Sequence, residues 1–219
     1  MPPLSCNVEG LNLHSLAQTI LFPDKETPSA KKKWRSWLVH CLLKGARHYN
    51  AAREIILRQL AEATRPSDQL AAGRQLHIFD FPEQMEDCMT SVFKVAMCLE
   101  RLTDSEKSFD QFCTANKDAI ESLRQFRNQH EHMHMQISSG EIGNGPIILS
   151  ISEDGNSIRF RDKRMSFVVM HALIQDMYSA LASLFPDFDA LSAPQAASPT
   201  TISITATMTV TQMSAPPAT

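Results

Sequence analysis

The chain has 219 residues, enough for one domain with a buried core and room for a tail. Seven glycines against eleven methionines leave little material for tight β-turns or a phosphate-cradling loop, which argues against all-β folds and against Rossmann or P-loop nucleotide binding. A net charge of −3 excludes a uniformly basic nucleic-acid binder, yet residues 31–65 hold nine basic and two acidic side chains and residues 68–121 five and eleven. Two helices that complement each other in charge would give this pattern.

Residues 1–30 read as an N-terminal segment with a short helix around Leu11–Leu21, Asn12 as its cap and Pro23 as its stop. The start Met-Pro-Pro-Leu-Ser has neither the charge nor the apolar run of a secretory leader. No stretch has the apolar length of a membrane span, so no membrane partner is expected. A strong helix follows from Trp34 to about Glu62. Its stripe runs through Trp34, Trp37, Cys41, Gly45, His48, Ala52 and Ile55 to Leu60. His40 and His48 on this helix read as structural. Lys31–Lys33 and Arg35 stand at its start, where the helix dipole disfavours cations, a weak hint of a partner.

The next helix is expected over residues 83–102, with Met85, Met89, Val92, Ala96 and Leu99 inward and Pro82 in its first turn. A third, unbroken helix is expected from about Glu106 to Ile137, with Phe109, Phe112, Ile120, Leu123, Phe126 and Met133 on one side. Three glycines between 138 and 146 end it. A β-hairpin is expected over residues 147–162, turning at Asp154-Gly155, and a final helix over residues 165–185 with a structural His171. The fold class is therefore mainly α: a four-helix-type bundle over residues 31–187 with a β-hairpin inserted before the last helix. Residues 188–219, rich in Ser, Thr, Ala and Pro, read as a disordered tail.

The five cysteines are odd in number and form no C-x-x-C pair. This points to free thiols in a reducing, cytoplasmic setting rather than to disulfides or a zinc knuckle.

The chemistry concentrates in Leu123–His134, where three of eight histidines fall within five residues. On a helical wheel, Arg127, Glu131, Asn128 and His132 form one polar arc, while His130 falls inside the apolar stripe and reads as a core histidine. Arginine binds phosphate as a permanent fork, and histidine moves protons near neutrality. Together they supply what metal-free RNA cleavage needs: a group to take the 2′-hydroxyl proton and one to stabilise the phosphorane. The plainer reading is an i,i+4 surface pair between Arg127 and Glu131.

Arg127-Asn128-Gln129-His130-Glu131-His132 resembles the R-N-x-x-x-H form of the motif of HEPN domains, all-α bundles that carry it on a long helix. The resemblance spans roughly residues 34–185, and only the six-residue motif is specific. It implies a metal-independent endoribonuclease or RNA-binding protein of a toxin–antitoxin, defence or stress system. It also implies a homodimer sharing one cleft, a cognate antitoxin or regulatory protein as partner, and no cofactor. Arg127, Asn128, Glu131 and His132 would be the catalytic group. Arg124, Arg159, Arg161, Lys163 and Arg164 are candidate RNA-phosphate contacts, or the solvated face of a ribbon. The hairpin departs from the simple family bundle, and the motif lies late in its helix, where the dipole favours His132 as acid over base. Two alternatives stand beside this reading. One is a catalytically silent dimerisation or interaction module. The other is a metal-dependent hydrolase, since His130-Glu131-x-x-His134 spells the zincin pattern without a recognisable third ligand.

Overall fold

A computed structural model describes residues 1–20, 28–66, 73, 79–103, 106–140 and 148–189. These fold into a mainly helical structure with one small antiparallel sheet. The helices are α1 (Val8–Ile20), α2 (Ser29–Ala63), α3 (Asp80–Arg101), α4 (Lys107–Ala115), α5 (Lys117–Glu131), α6 (Met133–Ser138) and α7 (Phe167–Ala182). The strands β1 (Ser150–Ile151), β2 (Ser157–Phe160) and β3 (Lys163–Ser166) lie between α6 and α7 in the order β1-β2-β3. Among the described residues no helix is long and apolar enough to cross a membrane.

Helix α3 is the centre of the core. Met85, Cys88, Val92, Val95, Ala96 and Leu99 are buried on it. On one side it runs antiparallel to α2, and the opposite charges of the two segments meet across the seam. Lys44 lies 3.7 Å from Asp87, and His48 Nδ1 bonds Gln84 at 2.7 Å. Beyond the C-terminal end of α3, Lys31 reaches Glu106 at 2.6 Å. At Gly45 the helices approach so closely that a Cβ would meet Val92 Cγ2 at 3.0 Å. On its other side α3 packs against α5, and α7 closes the core with Met170, Leu173, Ile174, Met177 and Leu181. Ser166 caps α7, its hydroxyl accepting from the Val168 N–H at 3.2 Å.

Several expectations are corrected. Helix α1 begins at Val8 and is capped by Asn7, whose Oδ1 accepts from the Gly10 N–H at 2.9 Å, rather than by Asn12. Trp34 and Trp37 are 45% and 41% exposed rather than in the core, because the start of α2 runs past its neighbours. Leu60 is exposed near the other end for the same reason, and His40 is exposed as well. The third helix is not one rod. It breaks at Asn116, whose Nδ2 donates to Phe112 O at 3.2 Å and to Asp176 Oδ2 at 3.0 Å, and again at His132. After that second break Ile137 leaves the core and is exposed.

The hairpin gains a third strand. Phe160 pairs with Lys163, so Arg161-Asp162 is a two-residue turn, with Arg161 at φ 56°. This recruits residues 163–166, and α7 starts at Phe167 rather than Met165. The helix stop at Pro23 lies outside the described residues, the glycine-marked break lies largely outside them, and so does the tail from residue 190 on. All five cysteines are free, and Cys41, Cys88 and Cys98 are buried.

Candidate functional site

Helix α5 is fastened along both flanks, and its outer surface carries the polar arc. Ile120, Leu123 and Phe126 face the core. On the α3 flank the Arg127 guanidinium stacks 4.4 Å from the centre of the Phe93 ring, and its Nη2 donates to Glu131 Oε1. Arg124 donates to Glu121 at 2.6 Å and to Glu100 at 3.0 Å. His130 Nε2 lies 3.4 Å from Glu86 Oε1, and its ring meets the Phe160 ring edge-on at 5.8 Å. The imidazole is about half exposed, so His130 bridges α5 to α3 and the sheet and is not the core histidine the wheel suggests. Burial raises the Glu86 carboxyl above its ordinary range, and the neighbouring His130 partly opposes this.

On the other flank, the β2–β3 turn docks on α5 and on α6 beyond it. Gln129 Nε2 donates to Asp162 Oδ1 at 2.7 Å. Arg161 Nη1 donates to Gln136 Oε1 at 2.5 Å. The Gln129 bond is the main reason the Asp162 carboxyl sits below its usual range. Between the flanks lie Asn128 and His132, both exposed. The His132 backbone N–H still reaches Asn128 O at 3.1 Å, but its φ of −91° and ψ of 5° end α5 there. The His132 imidazole has no hydrogen bond among the described residues.

Asn128, Glu131 and His132 are therefore exposed, while Arg127 is half-buried against Phe93 and already engaged with Glu131. Of the candidate RNA contacts, Arg124 lies toward α3 and is neutralised by two glutamates. The others lie on the sheet. Arg159 and Arg164 are exposed cross-strand partners, and Lys163 pairs with Asp162 at 3.4 Å. Arg159 Nε donates to Arg161 O at 2.8 Å.

The zincin reading needs His130 and His134 on one unbroken helical turn, and the chain bends at His132 between them. His134 Nδ1 instead lies 3.2 Å from Glu131 O. Among the described residues no three His, Cys, Asp or Glu side chains converge as metal ligands. His171 is structural: Nε2 bonds Pro3 O at 3.0 Å.

The docking of the β2–β3 turn was not readable in the chain, since Gln129 and Gln136 carry no motif of their own. Compared with known proteins, the chain matches no family model, no curated protein and no solved structure.

Proposed function

We propose that the chain is a HEPN-like, RNA-directed protein of bundle type, and that two copies pair through the α5 surface to form one cleavage site. The observation that carries this is the docking of the β2–β3 turn on α5 through Gln129–Asp162 and on α6 through Gln136–Arg161. It brings the basic residues of the sheet beside the C-terminal end of α5, next to His132. One feature of the sheet supports an anion there. Arg159 and Arg164 stand directly opposite each other, a like-charge pair that an anion lying across it would relieve.

In this reading His132 moves the proton at the 2′-hydroxyl or the leaving oxygen, and Arg127 binds the phosphorane oxygens from its fixed place on Phe93. RNA phosphates displace Glu131 from Arg127 as they bind. The test is incubation of the purified full-length chain with varied RNAs, with and without EDTA. Cleavage should persist in EDTA and vanish in His132→Ala with an unchanged circular dichroism spectrum. Cleavage lost on chelation would overturn this in favour of a metal-dependent reaction.

A second reading has its own support. The Arg127–Glu131 pair over Phe93 is a closed arrangement that a silent dimer seam would also use. If no RNA is cut but sedimentation gives a dimer that Arg127→Ala dissociates, the interaction module is the better account.

A further inference from the structure

A second feature lies at the C-terminal end of α3, opposite the end where His130 of α5 meets Glu86. The first turns of α2 overhang the C-terminal end of α3 and the start of α4, leaving a cleft of about 280 Å³. Its walls are apolar: Trp34, Leu38, Leu102, Phe109 and Leu184. Its polar side is Lys31, Arg35 and Glu106. The volume sits at the lower edge of the range for small-molecule sites, where an apolar lining with a few convergent polar groups is the usual build.

The charges in this cleft do not balance. Lys31 is 2.6 Å from Glu106 Oε1, and Arg35 Nη2 is 3.6 Å from that same oxygen, beyond hydrogen-bond reach. One carboxylate oxygen thus faces two cations, and the nearer one holds it. Arg35 Nε is buried and has no hydrogen-bond partner among the described residues. A buried donor on a charged group is costly to leave unmet, so Arg35 gains by turning toward an acceptor that enters the cleft. Lys32 and Lys33 add further positive charge at the same end of α2.

We propose that this cleft binds a small amphiphilic carboxylate, the size of a medium-chain fatty acid, with its chain against Trp34, Leu38 and Phe109 and its carboxylate on Arg35. The apolar walls take the chain by burying hydrocarbon. The guanidinium takes the head group by a charge-assisted fork that a hydroxyl or an ester cannot match. Glu106 competes for the same cations and sets an upper limit on affinity. This site is independent of the RNA reading, since none of its residues lies on α5 or the sheet.

The protein reports on this cleft by itself. Its two tryptophans are Trp34, which lines the cleft, and Trp37, with ring centres 5.6 Å apart. The test is a tryptophan-emission titration of the full-length chain with octanoate, octanol and acetate, each below its self-association concentration. Octanoate should give a saturable change, with octanol and acetate at least tenfold weaker. Arg35→Gln should weaken octanoate at least tenfold and leave octanol unchanged, while Glu106→Gln should tighten octanoate. Ala30→Phe, at an exposed position beside the cleft, should block octanoate without touching the ion pair. Equal response to octanoate and octanol, or octanoate binding unchanged in Arg35→Gln, overturns the proposal. So does a change that never saturates. Circular dichroism of each variant separates lost binding from lost folding.

Discussion

Arg161 combines a backbone cost with a side-chain contact, and the two can be separated by substitution. Its φ of 56° lies in the left-handed region, where a non-glycine residue pays about 1 kcal/mol. Its guanidinium meanwhile bonds Gln136 and helps dock the turn on the motif-bearing segment. Arg161→Gly relieves the first and removes the second. The melting temperature is expected to hold within about 3 °C, while RNA affinity falls several-fold in a filter-binding assay. A parallel rise in stability and affinity would remove Arg161 from the RNA surface. Cys88 offers a pH test. Burial pushes its thiol from 9.0 up to about 12. The native state therefore keeps a proton that the unfolded chain releases above pH 9, and stability falls as pH rises from 9 toward 12. Urea midpoints at pH 8 and pH 10 should show this decline, and Cys88→Ala should flatten it. Tyr49, raised by burial too, adds a decline of the same sign from its ordinary value upward.

Among the elements, the α2–α3 seam depends on the missing side chain at Gly45. Leu in its place would drive a branched chain into Val92 and cost about 3 kcal/mol, read from urea unfolding. Adding Val92→Ala should recover part of that loss, because the clash is local. The break between α4 and α5 depends on the Asn116 amide, and Asn116→Ala should cost about 1 kcal/mol through the lost bonds to Phe112 and Asp176. These two features mark the limit of what periodicity could show. The stripes of α2, α3 and α7 were legible because Leu38, Leu42, Met85, Val92, Leu99, Met170 and Leu181 recur at helical spacing and are buried. The breaks at Asn116 and His132 were not, since neither site carries a proline or glycine. Strand β3 was hidden for a related reason. Met165-Ser166 reads as the start of the last helix until a turn at Arg161-Asp162, without the usual Asn-Gly or Asp-Gly, folds residues 163–166 back as a strand. Of the candidate residues, the exposure of Asn128, Glu131 and His132 followed from the wheel, and the stacking of Arg127 on Phe93 did not. The place of His130 did not, because a wheel knows nothing of Glu86 or Phe160.

At the scale of the whole molecule, the first seven residues tie together elements remote in sequence. Tyr49 Oη donates to Pro2 O at 3.0 Å, and its ring is fully buried. His171 bonds Pro3 O, and Gln175 Nε2 donates to Ser5 Oγ at 2.6 Å. Met1, Leu4 and Cys6 pack against the core. Deleting residues 1–6 should lower the melting temperature by at least 5 °C, since it uncovers Tyr49 and the outer side of α7. Tyr49→Phe should cost only about 1 kcal/mol, the single bond to Pro2.

That strap also sets an order of events during synthesis. Pro3 and Ser5 find their partners on a helix made more than 160 residues later. Until α7 emerges, the N-terminal strand of chain and the Tyr49 side of α2 stay open, and closing this long loop is a late step. A ribosome-bound fragment that stops before Phe167 should therefore be cut readily near Pro2–Asn7 by a protease. The full-length chain should resist at the same place.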